Sequence, residues 1–373
     1  MTVQRQSSAR PSEARLTLTM IYKLTQIWQR VLQRPFIGVD DNFFSLGGSF
    51  EAADQLFAEI AKECGRELPS ATIYHAQTIG ALAPLLERSA LPRFSPVVQV
   101  KAGWEQPPIL IVHGMAGTVP FFELARHIRT GHPVYGFQAQ GLDGLEEPLD
   151  RVEDMAEFYL DSLEDLQPLG PYILVGYSFG GLVALEMAQR LTGRGEEIAS
   201  LVLVDAYPHL RHLAPTERVK LIAQRAKRIL FEIDERLLRT ARRAKSGLRR
   251  AGSHHFGNRI ANPSRLSFDQ TTRRVRESAY RALAAYRPQF YSGKIKFIKS
   301  GTDSYYPADP VAVWGNLTAA FEFETVPGGH LDMLTSDFES LAAVLTSYAS
   351  EALGQEYEFA GTGFEDADPH GPL

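Results

Sequence analysis

Two hydrophobic patterns divide the chain. In the first part, apolar residues recur every three or four positions, which is the period of a helix packed on one face. This spacing predicts helices over Met20–Leu32 and Phe50–Cys64, followed by a third that begins at Ile79. We therefore expect a compact helical region over residues 19–90. Prolines then indicate a linker over residues 91–97.

After the linker, short apolar runs alternate with amphipathic segments. Strands that are apolar along their whole length are typical of a buried, mostly parallel sheet, and the segments between them indicate helices on both faces. We expect this α/β architecture over residues 98–353. The apolar runs read PILIVH, HPVYGFQ, YILVGYS, SLVLVDA, KIKFIKSG and FEFETV.

Composition narrows the class of protein. Hydrophobic residues make up 44% and charged residues 22% of the 373 positions, as in soluble globular proteins. The net charge of −5 argues against a nucleic-acid partner, and no apolar run is long enough to span a membrane. A single cysteine excludes an intramolecular disulfide and a cysteine-rich zinc site, so we expect no metal and a cytoplasmic location. Residues 1–18 are expected to form a flexible leader and the acidic residues 354–373 a disordered tail.

The residues Gly176-Tyr177-Ser178-Phe179-Gly180 follow an apolar strand and open a helix. In this setting the G-x-S-x-G pattern predicts a nucleophile elbow, a sharp turn that exposes a serine hydroxyl at the carboxyl end of a strand. The glycines leave room for the strained turn. Ser178 is therefore the candidate nucleophile, and the helix that follows it favours developing negative charge.

A serine hydroxyl needs a general base, which a histidine oriented by a carboxylate usually supplies. His330 lies late in the chain, after a strand and a Gly-Gly turn. This position fits a base, because the catalytic residues are expected in the chain order serine, acid, histidine. The candidate acids are Asp205 and Asp303, each following a strand between the serine and the histidine. Both stand at carboxyl ends of strands, so the residues alone do not choose between them.

The oxyanion of a tetrahedral intermediate needs two amide donors. One is expected from the residue after the nucleophile, Phe179, and the other from the loop after an earlier strand. The segment ILIVHGMAGT supplies such a loop, and we assign the second donor to the backbone N–H of Met115. We expect this set of groups to need no cofactor for hydrolysis.

Residues 97–350 resemble the thioesterase domains that terminate nonribosomal peptide and polyketide synthases. The similar stretches are LIVHGMAG, LVGYSFGGLVALEMAQRL, LVLVDAYPH, YYPADP and VPGGHLDML. The resemblance implies an α/β-hydrolase fold with a helical lid insertion, acting on acyl or peptidyl thioesters. It also favours Asp205 over Asp303, because the acid of that family usually follows the strand after the elbow.

The insertion at about residues 209–276 is helical in pattern and strongly basic. It carries 18 Lys and Arg against 5 Asp and Glu between residues 211 and 276. We expect it to form a lid over the mouth of the site. Its charge is open to three interpretations: a solvated face, a docking surface for the phosphates of a phosphopantetheine arm or coenzyme A, or a surface for nucleic acid or an anionic membrane.

Residues 20–88 resemble the carrier domains that precede such thioesterases, in the stretches LTQIWQRVL, IGVDDNFFSLGG and ELPSATIYHAQTIGALAPLLE. A working carrier reads Leu-Gly-Gly, a polar residue, and then the serine that receives a phosphopantetheine arm. Without a gap, Phe50 takes the place of that serine and no arm can be attached. A shifted register makes Ser49 the attachment site instead. The gapless register implies that substrate arrives from an upstream synthase or carrier protein in trans, or on coenzyme A.

These observations favour a serine thioesterase that hydrolyses or cyclises an acyl or peptidyl thioester carried on phosphopantetheine or coenzyme A. A carboxylesterase or lipase on the same fold is the first alternative, and the carrier-like region argues against it. The second alternative is a non-catalytic synthase accessory protein that docks through a degenerate carrier domain. The intact elbow and His330 argue against that.

Overall fold

A computed structural model gives the helical region, the sheet and the helices around it. The described residues are 11–74, 76–87, 94–163, 166–167, 169–223, 268–302, 307, 309–352 and 354. Residues 224–267 of the expected lid, the first ten residues of the expected leader and residues 355–373 of the expected tail lie outside this description.

The amino-terminal part of the chain is helical, as the hydrophobic spacing predicts. Its elements are α1 (Pro11–Leu32), α2 (Phe50–Cys64), a short 3₁₀ turn (Ser70–Tyr74) and α3 (Ile79–Glu87). α2 has the predicted bounds, whereas α1 is helical from the first described residue, Pro11, and so includes residues that the sequence pattern assigns to the leader. Helix-forming Ala and Leu residues in this segment favour the added turns.

The apolar stripes of these helices pack together. Leu24, Trp28, Leu56 and Ile60 are fully buried. Phe43, in the loop before α2, is also buried and packs edge-on against Trp28 with 5.1 Å between ring centroids. Since the burial of large apolar side chains is the main source of stability in so small a region, Phe43 fixes this loop to the helices.

A seven-stranded sheet forms the centre of the larger part of the chain. Its strands are β1 (Val97–Lys101), β2 (Ile109–Val112), β3 (Val134–Phe137), β4 (Tyr172–Tyr177), β5 (Ile198–Val204), β6 (Tyr291–Ser300) and β7 (Thr318–Val326). They lie in the order β1-β3-β2-β4-β5-β6-β7, and the paired strands are parallel except for β1 with β3. The mostly parallel sheet is therefore confirmed, and β4, which leads to the serine, lies at its centre.

The sequence pattern does not predict β1. This strand reads VVQVK, with Gln99 and Lys101 among its valines, and it lies at the edge of the sheet. A partly exposed edge strand mixes polar with apolar residues and so lacks the continuous apolar run that marks the inner strands. The expected linker, residues 91–97, therefore overlaps β1 at one residue, Val97.

Helices cover both faces of the sheet, as predicted. They are α4 (Phe122–His127), α5 (Val152–Asp161), α6 (Gly180–Gly193), α7 (Phe268–Ala285), α8 (Pro310–Trp314), α9 (Asp332–Thr335) and α10 (Phe338–Ala352). Ile109 and Ile111 of β2 share a hydrophobic cluster with α4 and α10, whereas Leu110 and Val112 share one with α5 and α6. The two-residue period of the strand thus buries both faces. Among the described helices, none combines the length and the apolar character needed to cross a membrane.

Candidate active site

β4 and α6 are joined by the turn that the G-x-S-x-G pattern predicts. Ser178 has a φ of +55°, in the left-handed region that residues other than glycine adopt only under strain. A Cβ at Gly176 would lie 2.4 Å from the Cα of Gly181. One at Gly180 would lie 2.2 Å from the carbonyl oxygen of His113. The chain therefore makes the sharp, strained turn expected of a nucleophile elbow, and glycines make it sterically possible.

Two hydrogen bonds join the three side chains predicted for the site. The hydroxyl of Ser178 lies 3.0 Å from Nε2 of His330 and donates to it when the imidazole is neutral. On the other side of the ring, Nδ1–H donates to Oδ2 of Asp205 at 2.8 Å. Ser178 is 7% exposed and Asp205 is fully buried. In the described part of the chain, no group of three His, Cys, Asp or Glu side chains is placed to hold a metal ion.

Asp205 is fixed by more than the histidine. It follows β5 with a φ of +46°, and its backbone N–H donates to the carbonyl oxygen of Ile298 in β6 at 2.7 Å. The hydroxyl of Ser300 donates to its Oδ2 at 2.9 Å. The alternative acid, Asp303, lies outside the described residues. Of the two carboxylates that the sequence leaves open, Asp205 is the one that the described structure brings to the imidazole.

Tyr177, the residue before the serine, contacts the histidine in two ways. Its ring lies nearly parallel to the imidazole of His330, with 4.9 Å between centroids and 21° between planes. Its hydroxyl donates to the backbone carbonyl oxygen of His330 at 2.6 Å. Sequence reasoning missed this contact, because the two residues are far apart in the chain and only the place of Tyr177 within the motif points to the site.

The expected oxyanion donors belong to two loops that meet near the serine. Met115 lies in the turn after β2, in which the N–H of Gly117 donates to the carbonyl oxygen of Gly114. A Cβ at Gly114 would lie 3.7 Å from the Cβ of Ser178. Within the described part of the chain, neither Met115 nor Phe179 donates its amide hydrogen to a backbone carbonyl. The role of these two amides as oxyanion donors stays a prediction.

His113 anchors the first of these loops. Its buried ring donates from Nδ1 to the carbonyl oxygen of Gly114 and accepts at Nε2 from the hydroxyl of Tyr159. Burial lowers the pKa of His113 from 6.5 to about 4, because an enclosed imidazolium loses its hydration. The ring is therefore neutral near pH 7 and acts as a hydrogen-bonding support for the loop.

The start of α2 bears on the attachment of a phosphopantetheine arm. Ser49 is the exposed N-cap residue, and its hydroxyl accepts the N–H of Ala52 at 3.2 Å. Ala53 and Leu56 are 1% and 0% exposed. These two positions of α2 therefore face the core, as the gapless register requires. In that register Phe50 occupies the attachment position. A phenylalanine side chain has no hydroxyl for the arm, so the residues present do not fit the group there.

Family comparisons match both parts of the chain. Residues 107–348 match the thioesterase domain family, and residues 23–86 match the phosphopantetheine attachment site family. The chain belongs to the thioesterase domain family. A carrier-type match followed by a thioesterase match confirms the expected resemblance to the carrier–thioesterase didomains of nonribosomal peptide synthetases. The second match makes a phosphopantetheine group possible in this type of domain. In the gapless register Phe50 has no hydroxyl to carry it, whereas in the shifted register the exposed Ser49 would hold it.

The curated relatives of this thioesterase are much longer. It is 37% identical over 194 residues to a dimodular nonribosomal peptide synthase of Bacillus subtilis. The aligned stretch covers 52% of this chain and 8% of the relative. It is 27% identical over 325 residues to the malpibaldin synthetase of Mortierella alpina. Here the aligned stretch covers 83% of this chain and 5% of the relative. The chain thus spans less than a tenth of the length of these relatives.

A solved structure resembles nearly the whole chain. The four-domain nonribosomal peptide synthetase AB3403, in its holo form with AMP and glycine, aligns with 94% of this chain and 27% of its own. The TM-score is 0.54 and the sequence identity 21%. At this identity the likeness concerns the fold, and it extends over both the helical region and the α/β part.

Proposed function

We propose that the protein is a serine thioesterase that releases an acyl or peptidyl group from a phosphopantetheine or coenzyme A thioester. The observation that carries the proposal is the hydrogen-bonded chain from Ser178 through His330 to Asp205, at the strained turn between β4 and α6. Membership in the thioesterase family supports the type of bond that is cleaved. Ser178 is then the nucleophile, His330 the general base, and Asp205 the group that orients the imidazole.

In the first step, Nε2 of His330 accepts the proton of Ser178 while Oγ attacks the carbonyl carbon of the thioester. A carbon–oxygen bond forms, and the amides of Met115 and Phe179 stabilise the negative charge on the carbonyl oxygen. The carbon–sulfur bond then breaks, and the departing sulfur takes the proton from Nε2. Between these events, buried Asp205 stabilises the imidazolium through its hydrogen bond to Nδ1.

In the second step, a nucleophile frees the acyl group from Ser178. A water molecule that gives its proton to Nε2 of His330 releases a carboxylic acid. A hydroxyl or amine of the acyl group itself releases a ring instead. Both outcomes use the same protein groups, so the shape of the lid and the exclusion of water decide between them.

The comparisons also suggest a biosynthetic setting. The Bacillus subtilis relative is a nonribosomal peptide synthase, and we place this thioesterase in that type of biosynthesis. With Phe50 at the attachment position, the substrate arrives from an upstream synthase or carrier protein in trans, or on coenzyme A. Delivery from outside the chain is therefore part of the proposal.

A matched pair of substrates tests the reaction type. An acyl thioester and an oxyester with the same acyl group are compared by kcat/KM, each corrected for its rate with hydroxide alone. We expect the corrected value to favour the thioester. A preference for the oxyester would assign the protein to the carboxylesterases, and a serine that fails to react with a fluorophosphonate would indicate a non-catalytic accessory protein.

A further inference from the structure

A chain of aromatic rings crosses from the helical region into the thioesterase core. Phe43 packs edge-on against Trp28 of α1 at 5.1 Å and against Phe44 at 5.5 Å between centroids. Phe44 in turn stacks on Phe122 of α4, with 5.4 Å between centroids and 7° between planes. Phe43 is fully buried and Phe122 is 7% exposed. The cores of the two parts thus belong to one continuous hydrophobic cluster.

Polar contacts flank this stack. Arg126 donates to the hydroxyl of Ser45 at 2.9 Å, and that hydroxyl lies 3.3 Å from a carboxylate oxygen of Glu123. Arg126 and Glu123 are both residues of α4. The loop before α2 therefore meets α4 through aromatic packing and directional hydrogen bonds together, a combination that fixes one orientation.

The helical region also reaches the lid. α2 lies against α7, the helix at the carboxyl end of the expected lid. On α7, Val275 packs against the backbone of the loop after β2, since a Cβ at Gly117 would lie 2.5 Å from its Cγ1. Packed elements therefore lead from α2 through α7 to the loop that carries Met115. A helical region that moved away would remove a support of α7.

A carrier domain that delivers substrate must offer a hydroxyl for its arm and must leave one partner to reach another. In the gapless register Phe50 stands at the attachment position, and departure from α4 would expose Phe44 and Phe122 to water. We propose that the helical region formed by α1, α2 and α3 is a fixed support of the thioesterase, docked on α4 and α7 of its own chain, and not a mobile carrier. This proposal does not depend on the reaction that the site performs.

Cutting the link between the two parts tests the docking. A protease site inserted between residues 88 and 93 of the full chain is cleaved after folding, and the products are separated by size-exclusion chromatography at low micromolar concentration. We expect the wild-type pieces to elute together at the position of the uncut chain. Pieces that separate would overturn the proposal. Cleaved Phe36→Ala serves as the matched control, because Phe36 belongs to the same region but is 87% exposed, and its pieces should also stay together.

Variants of the interface identify the contact. In the cleaved protein, Phe44→Ala combined with Arg126→Ala is expected to separate the pieces. If that protein does not fold, Ser45→Ala removes only the polar contacts, and we expect it to weaken association about tenfold. Pieces of a folded interface variant that associate as tightly as those of the wild type would contradict the assignment of this surface.

Mass spectrometry tests whether the region carries an arm. The full chain is incubated with coenzyme A and a phosphopantetheinyl transferase, with an active carrier domain in a parallel tube to show that the transferase works. We expect the mass of the chain to stay unchanged. A gain of one arm, mapped to Ser49, would overturn the proposal.

Discussion

The hydroxyl of Tyr177 donates a 2.6 Å hydrogen bond to the backbone carbonyl oxygen of His330, while the two rings lie nearly parallel at 4.9 Å between centroids. Tyr177 thus contacts His330 at both its backbone and its ring. His330 stands on a loop between β7 and α9, which by itself has more conformational freedom than a strand. Tyr177, at the end of central β4, supplies a rigid contact for that loop.

This relationship predicts a graded effect at position 177. Tyr177→Phe keeps the ring stack and loses the hydrogen bond, which is worth about 1 kcal/mol, so we expect kcat to fall about fivefold with little change in KM. Tyr177→Leu loses both contacts and should lower kcat further. Tyr135→Phe on β3 is the control, since its hydroxyl contacts Gln99 at the sheet edge. Unchanged kcat in both Tyr177 variants would show that Tyr177 does not position the base.

The choice of acid gives the second prediction. Asp205→Asn removes the carboxylate that accepts from Nδ1 of His330 and favours the wrong tautomer of the ring, so kcat should fall about 10³- to 10⁴-fold. Asp303→Asn should leave kcat within about threefold of the wild type, because in this proposal Asp205 alone orients the imidazole. Steady-state kinetics on one acyl thioester measures both. The opposite ranking would assign the acid to Asp303.

The elbow glycines give a prediction about stability. A Cβ at Gly180 would lie 2.2 Å from the carbonyl oxygen of His113, which belongs to the backbone and cannot rotate away. Gly180→Ala should therefore lower the free energy of unfolding by about 3 kcal/mol in urea titrations. The control is Gly193→Ala at the end of α6, where a Cβ meets nothing within 4 Å. That variant should stay within about 1 kcal/mol of the wild type, and equal losses in the two variants would contradict the steric argument.

His113 gives a prediction about pH. Its pKa is lowered to about 4 by burial, so between pH 6.5 and pH 4 the unfolded chain binds a proton that the folded chain does not. The free energy of unfolding therefore falls as the pH drops through this window, and this residue contributes about 2 kcal/mol between pH 7 and pH 5. His113→Gln, which can still accept from Tyr159 but does not titrate, should show a correspondingly smaller fall. Equal falls in the two proteins would mean that His113 does not titrate with a lowered pKa.

Most of the fold follows from local patterns. The inner strands are apolar along their whole length, and α2 repeats its apolar residues with the helical period. Both patterns can therefore be recognised in the sequence. β1 does not, because an edge strand tolerates Gln99 and Lys101. The turns of α1 before Met20 were also missed, since the apolar spacing by which a helix is recognised begins only later in the chain.

The site was predictable where a motif fixes the backbone. The G-x-S-x-G pattern identifies Ser178 because the turn requires glycines at defined positions. The sequence alone could not choose between Asp205 and Asp303, because both follow strands of the same sheet and only the fold shows which carboxylate meets the imidazole. The contact of Tyr177 with His330 likewise joins distant parts of the chain.

The central claim is that Ser178 attacks the thioester. The most direct measurement is the rate of thiol release from an acyl-coenzyme A by Ser178→Ala beside the wild type, with circular dichroism to show that both are folded. We predict that the substitution lowers the rate about 10³-fold or more, since the acyl-enzyme can no longer form. A folded Ser178→Ala protein that releases the thiol at the wild-type rate would contradict the account.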